Sequence, residues 1–502
     1  MRGSPLGGQR LHGWEELAAA VALGVAMVLA IAVSTFLALS WSWSFALAVA
    51  AVIAAAMVYL GRPGIAIAAI LLPFFVVDEG TDDALPGLAR LGDELYGDFM
   101  GGLLAPRDVL LVLAALAAVI FFPAAADRRE RLLGPVTWVI IATGGFVAGG
   151  LVVGLYLLHN PDGSLVGLRP FYDCILAAFV VWRVLRSMPR ARAERVVLGA
   201  SVVVGAILVA IGAARVFGIA GTAVEIDGVP ITFFDSAAPY ALLCCVGVWG
   251  AALIDRRVTG LARIILTALA VSGLIVAITS QRRSILIGYA VAAVALLILN
   301  AARRGGGILR SVRVLVGFAA TLAAVIVLIG ATVPGAGDVF AERASTALSA
   351  AQESSSTDPS LQYRVDESDA VFVLAGRNLW TGIGPTAGFV PVNSVTLPTD
   401  GSYTHNTYFT LPLRYGLWGI LALATLVIGL VITLARALLR SPPRQAWIMA
   451  AALIALLPAI ATAAFLTQTS RWAVVVGAIA GAFDALADPA DGSRDAAGDG
   501  VP

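Results

Sequence analysis

The chain has 502 residues, of which 59% are hydrophobic and 13% charged, with mean hydropathy +0.91 and a formal net charge of +1. Polar residues are too few to cover one soluble core holding that many apolar side chains, which excludes an ordinary soluble domain. Nothing in the charge balance calls for a nucleic-acid partner.

Apolar runs of bilayer-crossing length recur from end to end. In chain order they fall at roughly 17–39, 42–60, 63–77, 107–123, 135–158, 170–187, 197–217, 239–254, 264–280, 284–300, 314–334, 410–435, 446–466 and 472–487. Four of them are short, so about 12 to 14 spans are expected. The expected fold class is all-α: a polytopic transmembrane helical bundle with one large external loop containing short helices. The first run follows a short N-terminus with Arg2 and Arg10 and is too long for a signal-peptide core, so it is read as a span. The expected organisation is a cytoplasmic N-terminus (1–16), helices 1 to 11 (17–334), an external loop carrying the motifs (335–409), three further helices (410–487) and a disordered cytoplasmic tail (488–502).

Cationic loops stay cytoplasmic. "DRRER" (Asp127–Arg131), "RSMPRARAER" (Arg186–Arg195), "DRRVTGLAR" (Asp255–Arg263), "ARRGGGILRSVR" (Ala302–Arg313) and "RALLRSPPR" (Arg436–Arg444) fall on one side of these spans, with both termini. The other side carries acidic stretches, Asp78–Asp98 and Val224–Gly228, and the longest polar segment, so that segment is external to the cytoplasmic membrane. All 33 basic residues are arginine, so arginine at any single position carries little information. Cys174, Cys244 and Cys245 sit in apolar runs without a CxxC or a Cys/His cluster, and neither a disulfide framework nor a zinc site is expected.

Within the external segment, Thr357 or Asp358 can cap a helix, Pro359 suits its first position and Gly376 the residue past its end. That helix carries Arg364. "NLWTGIGPTAGF" (Asn378–Phe389) follows as a glycine-punctuated loop suited to close backbone approach.

Three positions stand out. In "TSQRRSILIG" (Thr279–Gly288), Arg282 and Arg283 join two apolar runs on the external side, against the charge bias. They read either as interfacial anchors or as guanidinium forks facing a phosphate. Arg364 reads either as a solvated charge beside Asp366, Glu367 and Asp369 or as part of a site. His405 is one of three histidines, and reads either as a plain loop residue or as a proton acceptor near neutral pH.

Taken together, these stretches resemble the O-antigen ligase and polymerase superfamily of membrane glycosyltransferases. The resemblance rests on the glycine loop Gly382-Ile383-Gly384, then His405-Asn406, Tyr408, and Gly416-Leu417-Trp418-Gly419 opening a span. Arg282 or Arg283 matches the arginine at the outer end of a mid-chain span, and Arg364 the arginine of the external-loop helix. It covers roughly Ile264–Ala435. Arg414 stands where the family often has an acidic residue, which bears on acceptor choice.

The resemblance implies transfer of a glycan from an undecaprenyl-pyrophosphate carrier to a hydroxyl of a glycan, lipid or protein acceptor at the outer face of the membrane, without metal or cofactor and with inversion. Arg282, Arg283 and Arg364 would hold the pyrophosphate, His405 would act as general base, and Asn406 and Tyr408 would orient the histidine or the sugar. Ligase and polymerase remain alternatives within this reading. A lipid-linked oligosaccharide flippase is a rival class, and a solute transporter another, for which Asp173, Arg183, Arg215, Asp235 and Asp484 are the candidate buried ionisable groups.

Overall fold

The computed structural model describes residues 74, 95–96, 105–122, 133–158, 164–216, 225–226, 229–230, 232–233, 236–254, 258–280, 282–303, 316, 320, 327, 359–385, 406–440, 442–460 and 470–487. The expected spans at 17–39 and 42–60, and nearly all of those at 63–77 and 314–334, lie outside these residues.

The described elements are α1 (Pro106–Phe121), α2 (Pro135–Leu158), α3 (Ser164–Arg186), α4 (Arg190–Val216), β1 (Glu225–Ile226), β2 (Val229–Pro230), α5 (Ala237–Ile254), α6 (Leu261–Thr279), α7 (Arg283–Arg303), α8 (Pro359–Arg377), α9 (Thr407–Tyr415), α10 (Leu417–Leu439), α11 (Arg444–Ala459) and α12 (Ser470–Ala487). Pro106, Pro135 and Pro359 each open a helix, where a missing N–H costs nothing. Among the described residues, five helices, α2, α4, α5, α6 and α10, are long and apolar enough to cross a membrane. The helical bundle read from composition is therefore what forms. To it the fold adds one antiparallel ladder, pairing Glu225 with Pro230 and Ile226 with Val229.

Two expectations are corrected. The run at 410–435 is not one span: it breaks at Gly416 into α9 and α10. Pro412 interrupts the hydrogen-bond ladder and Gly416 takes φ +58°, a conformation that ends a helix and that side-chain-bearing residues resist. In the other direction, Gly376 does not lie past the end of its helix, because α8 continues to Arg377.

The centre of the bundle is α12. Every residue from Arg471 to Ala487 is buried, as befits a helix apolar on all sides. It packs most extensively along α3, with α11 and α2 also against it. The α3 contact depends on Gly477 and Gly481, one turn apart, where a Cβ would collide with the carbonyls of Cys174 and Ala178. Small residues at this spacing let two backbones meet in the absence of water, where packing rather than hydrophobic exclusion drives association.

Two ends of the bundle follow from pairwise contacts. Near the C-terminus of α12, Asp484 accepts hydrogen bonds from Val136 N (3.0 Å), Thr137 N (3.0 Å) and Thr137 Oγ1 (2.9 Å), and so caps the start of α2. At the other end of α2, Gly149 and Gly150 receive the Trp418 and Tyr415 side chains from the junction of α9 and α10. Early in α2, Val139 meets Gly429 late in α10, so these two helices run antiparallel.

Gly481→Val should therefore destabilise the protein by about 1–3 kcal/mol through overpacking. Gly145→Ala, where a Cβ meets nothing within 4 Å, should leave stability unchanged or slightly raised. Thermal unfolding of the purified protein in detergent checks both.

Candidate active site

The short helix α9 begins at Asn406. The Asn406 side-chain oxygen accepts Tyr408 N at 3.0 Å, and its carbonyl accepts Thr410 N at 2.9 Å, which makes it the N-cap. Two contacts then fasten α9 to the end of α11: Thr407 N donates to the Ile460 carbonyl at 2.9 Å, and the Tyr408 hydroxyl to the Leu457 carbonyl at 2.7 Å. Burial raises the Tyr408 phenol above its ordinary pKa of 10.0, so it stays a neutral donor through the physiological range.

The C-terminal end of α9 leaves carbonyls without helical partners. The glycine loop supplies them. Ile383 N donates to the Leu413 carbonyl at 2.8 Å and Gly384 N to the Arg414 carbonyl at 3.2 Å. Gly382 (φ +67°) and Gly384 (φ +97°) adopt the left-handed backbone this requires, and a Cβ on Gly382 would strike the Arg414 carbonyl. Gly416 is approached in return by the Leu379 carbonyl and Gly382 N, which a Cβ would meet at 2.6 and 2.7 Å. At Gly419 a Cβ would strike the Leu411 carbonyl. Arg414, buried, donates to the Gly384 carbonyl at 3.2 Å, and burial lowers its pKa from 12.5. Val371 of α8 and Leu413 of α9 form an apolar pad with Leu374, Ile383 and Phe409.

This packing also sets directions. The C-terminal ends of α8 and α9 meet at Leu379 and Gly416, and Val371 of α8 packs on Leu413 of α9. Arg364 precedes Val371, and Asn406 precedes Leu413, by seven residues each, about 10 Å along a helix. The start of α7 meets the end of α11 as the start of α9 does, since a Cβ at Gly288 would lie 2.6 Å from the Ala455 carbonyl and 3.2 Å from Pro458. Arg282 is half-buried and caps α7, its carbonyl accepting Ile285 N at 3.1 Å. Arg283 is the first residue of α7 and Arg364 lies in the early turns of α8, but the side chains of both are outside the described residues. His405, next to the Asn406 cap, is outside them too.

Residues 268–424 match the O-antigen ligase family. The match supports membership of the O-antigen ligase and polymerase superfamily for this segment, which is under a third of the chain and runs from α6 into α10. No curated protein matches the sequence.

Within the O-antigen ligase segment, the geometry gives the paired glycine motifs a shared physical role: they are the two faces of one backbone contact at the elbow between α9 and α10. Arg414, the departure from the family pattern, holds the glycine loop through at least one of its N–H groups. Asn406 and Tyr408 are occupied in fixing α9, so they position the chain beside His405.

Outside the segment, one cluster was only glimpsed in the sequence, through Asp173. Arg107 Nε lies 3.6 Å from Asp108 and 3.7 Å from Asp173, and Arg169 Nε lies 3.4 Å from Asp108 and 3.2 Å from the Tyr172 hydroxyl. This buried network joins α1 to the first turns of α3. Two residues before Arg169, a Cβ at Gly167 would lie 2.7 Å from the Tyr415 hydroxyl and 3.2 Å from Pro385, so α3 abuts the elbow directly. Only the sequence oddity of charges inside an apolar run pointed to it.

Asn406→Ala should cost about 1 kcal/mol of stability through loss of the cap, and Asn406→Asp should recover it. Thermal unfolding of the two variants alongside the parent reads the difference.

Proposed function

We propose that the protein is a metal-independent, inverting glycosyltransferase of O-antigen ligase type. It takes a glycan from an undecaprenyl-pyrophosphate carrier and joins it to an acceptor hydroxyl at the outer face of the cytoplasmic membrane. The observation that supports this reading is that, within the matched segment, the starts of α7 and α9, which bear Arg282 and Arg283 and the Asn406 turn beside His405, both meet the end of α11, while α8, which bears Arg364, packs on α9.

The chemistry follows from the residue types. As the bond between the anomeric carbon and the carrier breaks, negative charge grows on the leaving pyrophosphate. Guanidinium groups fixed in advance stabilise that charge, each charge-assisted hydrogen bond contributing about 1.5–3 kcal/mol and more where water is excluded. Arg282, Arg283 and Arg364 take this role. Arginine suits it because its fork meets two phosphate oxygens at once and stays protonated. The acceptor hydroxyl enters from the opposite side of the ring and loses its proton to His405, an effect typically worth about 10²–10⁴-fold. Attack opposite the leaving group inverts the anomeric centre. A carrier lipid keeps its pyrophosphate at the membrane surface, so a site for it has to lie there. The acceptor is a glycan, a lipid or a protein; a second carrier-linked glycan would make the enzyme a polymerase.

His405→Ala and Arg364→Ala should each lower transfer by about 10²-fold or more while leaving membrane insertion and unfolding temperature unchanged. Product analysis with purified protein and a carrier-linked glycan makes the comparison, and full activity in either variant removes that residue from the mechanism.

A further inference from the structure

At the end of the bundle away from α9, a cavity of about 140 Å³ opens between α2, α3, α10 and α12. Trp182 and Thr433 contribute to its wall, and Arg436 and Arg440 stand one turn apart on its α10 side. Both arginines are exposed, and among the described residues neither guanidinium forms a hydrogen bond or ion pair. Like charges four residues apart on a helix repel. The acid in the lining, Asp484, is held in place by the two backbone amides and the hydroxyl at the start of α2, so two guanidinium groups stand against one carboxylate and the cavity keeps a positive excess. The Arg186 guanidinium lies 5.7 Å from the centre of the Trp182 ring, which forms part of the wall.

Beside the cavity, α10 turns an apolar face outward. Among the five candidate spans α10 is the least enclosed, with 28% of its apolar stretch buried. Ile428, Val431, Ile432 and Leu439 are exposed along it. An occupant that meets both features has an anionic head and hydrocarbon chains. A soluble anion would use only the arginines, and a neutral lipid only the helix face.

We propose that this cavity is a binding site for the phosphodiester headgroup of an anionic phospholipid, held by Arg436 and Arg440 with its acyl chains along the exposed face of α10. Basic pockets between spanning helices are a recurrent way of holding such headgroups. The site is remote from the α9 elbow and does not depend on the transferase reading.

The test uses full-length protein extracted from vesicles of mixed phosphatidylglycerol and phosphatidylcholine, with retained lipid counted by native mass spectrometry. The parent protein should retain phosphatidylglycerol in preference to phosphatidylcholine, and Arg436→Gln/Arg440→Gln should lower that preference by roughly tenfold or more. Arg195→Gln/Arg263→Gln removes the same charge from positions that do not line the cavity and should keep the parent's preference. A single gel-filtration peak and an unchanged unfolding temperature in phosphatidylcholine establish that the variants are folded. Three results overturn the proposal: undiminished retention by Arg436→Gln/Arg440→Gln, an equal loss in both double variants, or displacement of the lipid by millimolar inorganic phosphate.

Discussion

A helix that ends inside a packed bundle must find partners for its last carbonyls, since an unpaired buried backbone group costs about 1–3 kcal/mol. At the end of α9 that requirement falls on Leu413 and Arg414, and the amides of Ile383 and Gly384 meet it. The solution constrains everything around it. Residues 382–384 must lie flat against the helix end, which demands left-handed backbone at Gly382 and Gly384 and leaves no room for a Cβ at Gly382. Because Gly382 N also bonds to the Asn378 carbonyl at 2.8 Å, the end of α8 is carried into place with the loop. One set of backbone hydrogen bonds thereby fixes the direction of α8, the angle between α9 and α10, and the turn at which Asn406 stands.

The same constraint separates scaffold from chemistry. Polar groups in a low-dielectric surrounding are strongly held once satisfied, and several side chains near the elbow are so held: Tyr408 on the Leu457 carbonyl, Arg414 on the Gly384 carbonyl, Asn406 on Tyr408 N. Two of these bonds tie α9 to different neighbours, α11 and the glycine loop, and the third caps its start, so α9 is fixed at both ends. A site that stabilises developing charge needs this rigidity, because groups that must reorganise during the reaction return part of the energy they supply.

Much of the bundle was legible in the sequence because a bilayer-length apolar run has few other uses. The run at 135–158 matches α2 at both ends, and those at 239–254 and 264–280 match α5 and α6 within three residues. What failed had specific causes. Hydropathy averages over a window and passes through Pro412 and Gly416 without registering a change of direction, so α9 and α10 read as one span. Gly376 looked like a terminator, but a glycine on an exposed helix face costs only about 1 kcal/mol, which the neighbouring turns absorb. The two-residue ladder at Glu225–Pro230 is too short to carry a periodic signal. At the site, the glycines could be assigned to a close approach, but their partner could not, since 30 residues separate Gly384 from Arg414.

Charges inside the apolar helices bear on the rival reading of a solute path. Such a path needs ionisable groups that exchange partners as the substrate moves. Three of the five groups that suggested it are engaged in closing helix contacts, whereas the Arg183 Nε is buried without a hydrogen-bond partner among the described residues. Asp173 faces Arg107 across the α1–α3 interface, Asp484 caps α2, and Arg215 donates to the Thr232 carbonyl at 3.1 Å while lying 5.9 Å from the centre of the Phe233 ring. Asp235 lies outside the described residues. Opening a buried pair by moving one partner leaves an uncompensated charge at a cost of about 3–5 kcal/mol, so such pairs resist the repacking that alternating access demands. Charges paired this way stiffen the helix contacts they close.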